Sequence, residues 1–236
     1  MSDGLRERKK RVMRQQLSDT ATRMFLARGF DSVRVAEVAD VCGVSEKTVF
    51  NYFPVKEALI MDRLEGTLAA LRTGLGDRGQ GPVEAVLAIL AGELGGMTGL
   101  LAGPRNAGSR DAGTWDAGEG RDAGAEEAVR RQAVRRFGDL IRATPALRAD
   151  QADMLERSIS VATGILAARA GLTPDDPEPQ FAARALLGLW RVQADSLRKH
   201  LDHAATPARL HELVTADVRR AARIVEAGLQ VLPAAD

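Results

Sequence analysis

VAEVADVCGVSEKTVFNYFPVKEA, residues 35–58, carries two helical apolar spacings separated by a single glycine. Val35, Val38 and Ala39 recur at the helical period, so residues 35–42 read as a short amphipathic helix. Gly43 tolerates the positive φ that a helix end or tight turn often requires. Val44 packs beneath the turn, and Ser45 offers its hydroxyl as the N-cap of a second helix running through Phe53. Pro54 cannot continue that helix but is suited to open the next, with Lys56, Glu57 and Leu59 following. A helix, a four-residue turn with glycine and a second helix make a helix-turn-helix unit. In such a unit the second helix enters the DNA major groove and presents its N-terminal residues to base edges.

The residues around this stretch favour the same reading. Met13, Leu17, Ala21, Met24 and Phe25 form one apolar stripe, a first helix ended by Gly29, after which Phe30 anchors a core. Leu17, Phe25, Phe30, Val38, Val44, Val49 and Phe53 are the expected core of this three-helix head. Charge is distributed unevenly. The 236 residues have a net charge of +1, yet residues 1–56 hold eleven Lys or Arg against seven Asp or Glu. A basic head on an acidic remainder is the electrostatic footprint of a protein that meets DNA at one end. Residues 1–11 include Arg6, Arg8, Lys9, Lys10 and Arg11, and read as a flexible basic arm that can follow phosphates or enter the minor groove.

Residues 12–63, through MFLARGF (24–30), VAEVADVCGVS (35–45), TVFNYF (48–53) and KEAL (56–59), resemble the DNA-binding domain of the TetR family of transcriptional repressors. The match covers about a fifth of the chain, in order and without gaps. The resemblance implies that Thr48 and Tyr52 touch DNA and that Lys56 binds a phosphate at the start of the fourth helix. Read from their chemistry, Lys47 can neutralise a phosphate or donate to guanine, Thr48 can donate to phosphate or touch a thymine methyl, and Asn51 can pair with adenine. Arg34 stands where the family usually has Thr or Ser before its second helix; it caps poorly but can reach a phosphate. Phe50 replaces a frequent tyrosine and lacks the hydroxyl that would bond a phosphate.

The remainder reads as helices, so the fold class is all-α: a helix-turn-helix head over residues 12–55 and a helical bundle over 56–232, about nine helices in total. Residues 103–124 repeat Asp-Ala-Gly and read as a mobile loop, with Trp115 available to a lid. RRFGDLIRATPALRA (135–149) and DDPEP (175–179) are similar to a C-terminal domain type found in some of these regulators. The resemblance implies a homodimer on a palindromic operator, formed by the last two helices, with Arg184, Trp190 and Gln193 as interface residues or Trp190 lining the interior. It also implies a cavity for a small apolar or aromatic effector, for which Leu94, Met97, Leu101, Phe137, Ile141, Met154 and Trp190 are the expected walls.

Other classes have weaker support. No run reaches the ~18 apolar residues of a membrane span, and the basic N-terminus lacks an apolar segment behind it. Cys42 stands alone, which fits a reducing cytoplasm. His200, His203 and His211 lack cysteine partners and read as surface histidines rather than metal ligands. No phosphate loop, serine elbow or hydrolytic carboxylate pair is present, so neither enzyme nor cofactor is expected. The competing readings are a DNA-binding regulator whose body binds a protein partner and, more distantly, a helical-bundle enzyme.

Overall fold

Prolines mark the beginnings of four helices. Pro82, Pro145, Pro177 and Pro207 each take the first position of one, where a missing N–H costs no hydrogen bond. The computed structural model describes residues 2–102 and 123–229. Among them lie nine helices and no strand: α1 Ser2–Arg28, α2 Val35–Cys42, α3 Glu46–Tyr52, α4 Ala58–Gly76, α5 Pro82–Ala102, α6 Ala123–Ala143, α7 Pro145–Ala170, α8 Pro177–His200 and α9 Pro207–Leu229.

Two helix starts differ from expectation. Residues 2–11, expected as an arm, form the first turns of α1; Lys and Arg are good helix formers, and no proline interrupts the run. Helix α4 begins at Ala58 rather than Pro54, because the Ala58 N–H bonds the Val55 carbonyl and the Leu59 N–H the Lys56 carbonyl in tight three-residue turns. The loop expected at 103–124, with Trp115, lies outside the described residues except for Ala123 and Gly124, which open α6.

Contacts divide the chain into two units, the first comprising Met1–Leu68 with Arg136–Met154, the second Ala69–Arg135 with Leu155–Asp236. The first unit is built around the expected head core. Leu17, Phe25, Phe30, Val38, Val49 and Phe53 are buried, Val44 packs against them, and Leu59, Ile60, Met61 and Leu147 extend the cluster. The Phe25 and Phe30 rings meet at 4.9 Å with a 55° tilt, which avoids the face-to-face sandwich that aromatic quadrupoles disfavour.

In the second unit α9 packs on α5 and α8. Leu90 and Leu94 of α5, Leu186 and Leu189 of α8, and Leu210, Val214 and Val218 of α9 belong to its buried core. On α6 Val134 packs against the cluster while Val129 is exposed, and Leu155 of α7 is exposed as well. Arg169 closes the end of α4 by donating to the carbonyls of Leu75, Asp77 and Gln80, each at 2.8 Å. Leu75 is in the last turn of α4, where carbonyls lack partners within the helix, and Asp77 and Gln80 lie in the loop that follows, so one multidentate guanidinium ties the helix end to its loop.

One polar cluster links α8 to α9. Asp217, with a side chain only 14% exposed, accepts from Ser196 Oγ at 2.8 Å, faces His200 Nε2 at 3.1 Å and pairs with Arg220 at 2.7 Å. The Ser196 hydrogen bond, then His200 and the nearby Arg220 and Lys199 charges, hold its carboxyl below the usual value against the opposing effect of burial. A carboxyl depressed in this way binds fewer protons folded than unfolded. Its stabilisation is therefore complete at neutral pH and is lost as pH falls through the unfolded value to the folded one. Asp217→Asn is expected to lower stability by roughly 1.5–3 kcal/mol at neutral pH, the range for hydrogen bonds to a charged group. Thermal melts across pH should show the deficit shrinking in acid; a deficit that stays constant there contradicts the assignment.

Candidate nucleic-acid interface

The turn between α2 and α3 is set by backbone bonding. Gly43 has φ 67°, the Gly43 N–H reaches the Asp40 carbonyl at 3.1 Å, and the Val44 N–H reaches that of Ala39 at 3.0 Å. This pair of bonds is the Schellman arrangement, and its left-handed residue favours glycine. No atom lies within 4 Å of where a Gly43 Cβ would be, so the constraint is conformational rather than steric. Ser45 then caps α3 by accepting from the Thr48 N–H at 3.1 Å, while the Ser45 and Thr48 hydroxyls meet at 2.8 Å.

With Val49 and Phe53 buried, α3 exposes Glu46, Lys47, Phe50 and Asn51, whereas Thr48 and Tyr52 are half-buried. Lys47, Phe50 and Asn51 stand three and four residues apart and therefore share one face. That face carries a cation, a large apolar ring and an amide, which match phosphate or guanine, the thymine methyl and adenine respectively. Phe50, which lacks the tyrosine hydroxyl, places an exposed apolar ring on this face.

The other expected contacts are placed differently. Arg34 precedes α2 with a guanidinium side chain 82% exposed. A guanidinium cannot accept a hydrogen bond, so the cap is supplied the other way, by Glu37 Oε2 accepting from the Arg34 N–H at 2.7 Å. Arg28 also binds Glu37, at 2.9 Å. The Arg34 backbone bond, followed by the Arg28 bond, holds the Glu37 carboxyl below its usual value. Lys56 donates from Nζ to the Phe30 carbonyl at 2.6 Å and lies over the Phe30 and Phe25 rings at 4.4 and 5.6 Å. Arg14, which sequence reasoning passed over, donates to the Tyr52 carbonyl at 3.0 Å and lies 4.7 Å above the Phe53 ring. No sequence signal joins residues so far apart. Along α1, the exposed Arg8 and Lys9 line a groove of roughly 390 Å³ with Val12, Met13 and Gln16.

The seven expected effector-pocket residues fall into two groups. Phe137, Ile141 and Met154 pack against the core of the first unit. Leu94, Leu101 and Trp190 belong with the core of the second, and Met97 is half-buried on α5. Trp190 Nε1 donates to Glu93 at 2.9 Å, and Thr98 Oγ1 donates to the Leu94 carbonyl at 2.9 Å while approaching His211 Nδ1 at 3.4 Å. A separate open groove of roughly 550 Å³ in the second unit is lined by Arg72, Arg78 and Arg169 with Val161, Ile165 and Ala168, and includes none of the seven. Of the three residues considered for an interface, Gln193 is buried, Trp190 is half-buried and Arg184 is exposed. Among the described residues no helix is long and apolar enough to cross a membrane, and no three His, Cys, Asp or Glu side chains gather as metal ligands.

Residues 17–61 match the family model described as bacterial regulatory proteins, tetR family, and residues 122–230 match the model described as the MftR C-terminal domain. The chain is 29% identical over 195 residues to the HTH-type transcriptional regulator TcmR of Streptomyces glaucescens, an alignment covering 80% of this chain and 74% of that protein. Among solved structures, a tetR-family transcriptional regulator from Streptomyces coelicolor is 20% identical, with a TM-score of 0.42 over 93% of this chain and 82% of the other.

Proposed function

The chain belongs to the TetR family and is a DNA-binding transcriptional regulator, and from that membership we propose that it is a homodimeric repressor released from a palindromic operator by a small apolar or aromatic effector. The observation that carries the operator reading is the outer face of α3, where Lys47, Phe50 and Asn51 stand exposed on a capped helix. Thr48, Tyr52 and Arg34 flank that face as further contacts. One such helix reads too few base pairs to be selective, which favours a two-fold assembly with two half-sites.

Support for dimerisation through the last two helices comes from Phe181 of α8 and Ile224 of α9, 73% and 77% exposed. Large apolar groups this open to water on neighbouring helices suit burial against a second copy. Replacing both by serine is expected to forfeit at least roughly 3 kcal/mol, about a hundredfold in the dimer dissociation constant. Sedimentation equilibrium reads this directly. A variant that dimerises as tightly as the parent would remove these helices from the interface.

The effector is assigned to the second unit, beside Leu94, Met97, Leu101 and Trp190. Glu93, bonded to Trp190, and His211, close to Thr98, are the polar groups beside these apolar walls. Release requires only that the ligand bind one conformation of the dimer more tightly than the other. The function as a whole is tested by capturing genomic fragments on the purified protein. Enrichment of fragments sharing a two-fold motif is expected, and enrichment without any motif would overturn it.

A further inference from the structure

Three guanidiniums gather on one groove of the second unit. Arg72 of α4, Arg78 of the following loop and Arg169 of α7 line this open space of roughly 550 Å³, with Val161, Ile165 and Ala168 as its apolar wall. Two of the three are held by backbone. Arg78 donates to the Ala168 carbonyl at 3.1 Å, and Arg169 to the carbonyls of Leu75, Asp77 and Gln80, each at 2.8 Å. A guanidinium has five N–H donors, so these bonds leave four on Arg78 and two on Arg169. Carbonyls also occupy donors without cancelling the charge. The ends of α4 and α7 contribute only about half a negative charge each, and the Asp77 carboxylate accepts the Gly79 N–H at 2.8 Å. Among the described residues no ion pair engages Arg72, Arg78 or Arg169. The groove therefore carries a positive surplus beside an apolar surface.

We propose that this groove binds a small aromatic carboxylate: Arg72 and Arg78 clasp the carboxylate, Arg169 supplies a fixed charge, and Val161, Ile165 and Ala168 cover the ring. A guanidinium fork matches a carboxylate through two parallel hydrogen bonds. Small-molecule sites combine apolar walls with a few placed polar groups, in volumes of about 300–1,000 Å³. Gly76 and Gly164 also line the groove, and nothing beyond its own helix lies within 4 Å of where a Cβ would stand on either, which leaves room for a flat ring. A wholly apolar ligand would leave the cations unpaired, and an inorganic anion would leave the wall wet. None of Leu94, Met97, Leu101 and Trp190, beside which the effector is assigned, lines the groove, so its occupant is a second ligand. The site is independent of the DNA-binding reading.

The test is isothermal titration of the full chain with 2-naphthoate and with its uncharged counterpart 2-naphthol. The parent protein is expected to bind one naphthoate per chain, and naphthol at least about tenfold more weakly, the scale of a charge-assisted hydrogen bond. Arg72 is exposed and takes no part in closing either helix. Arg72→Gln should therefore keep the fold, weaken naphthoate about tenfold and leave naphthol unmoved. Gly164→Leu places a side chain in the groove from the interior of α7 and should abolish binding of both. Its melting temperature should not fall, because a helix interior disfavours glycine. Met97→Ala, at the effector walls, should leave naphthoate binding unchanged. The absence of saturable naphthoate binding by the parent overturns the proposal, as does equal affinity for naphthol. Binding that survives both Arg72→Gln and Gly164→Leu, or that Met97→Ala weakens as much as they do, would place the probe elsewhere and overturn it too. Loss in Gly164→Leu with no effect of Arg72→Gln would leave an apolar groove without anion recognition, which also contradicts the assignment.

Discussion

Phe53→Ala is expected to destabilise the first unit by roughly 3–5 kcal/mol, the range for removing a buried aromatic side chain. Phe53 is 0% exposed, follows the last turn of α3 and lies beneath the Arg14 guanidinium. Truncation removes the ring that anchors the exit of the recognition helix and leaves a cavity among Leu17, Val38 and Val49, members of the same cluster. Against a typical domain stability of about 5–15 kcal/mol, the loss is large enough to unfold much of the population on mild heating. Urea titration followed by circular dichroism reads the change, and retention of a duplex enriched by the genomic capture should fail at the same denaturant concentration. A loss below about 1 kcal/mol would show that the ring does not organise this core.

Lys47→Ala combined with Asn51→Ala is expected to act in the opposite way, abolishing selective DNA binding with little effect on stability. Both side chains are exposed, and surface substitutions usually change stability by less than about 0.5 kcal/mol. A base-specific contact is worth about 1–3 kcal/mol of discrimination. Two residues in each of two half-sites make a loss of at least roughly 4 kcal/mol, about a thousandfold in affinity. Tyr52 is a less clean choice because it is half-buried against the core, so its truncation mixes stability with contact. Anisotropy titration of the enriched duplex, alongside a melting curve, separates the two. Selective binding that survives the double substitution would remove the outer face of α3 from the interface.

Local chemistry was the most legible part of the chain. The glycine at 43 and the serine at 45 mark the turn and the cap because each satisfies a backbone requirement within a few residues. Proline likewise marks the starts of α5, α7 and α9. Periodicity was less informative, since it identifies an apolar face without saying what covers it. Phe137 and Ile141 of α6, four residues apart, and Met154 of α7 were expected at a cavity wall, and all three pack on the core that contains Phe25 and Phe53. Cations were the least legible. The sequence gives no sign that Lys56 meets the Phe30 carbonyl or that Arg14 meets that of Tyr52, because the partners are far apart in the chain. The start of α1 was missed for a related reason: a run of Arg and Lys suits a solvated arm and a solvated helix equally well.

The central claim is that two copies of the α3 face read one two-fold DNA site, and sedimentation equilibrium of the protein with its enriched duplex tests it most directly. The expected complex has the mass of two chains, or a multiple of two, on each duplex carrying the symmetric motif. A complex of one chain per duplex, or no complex at low salt, would contradict it.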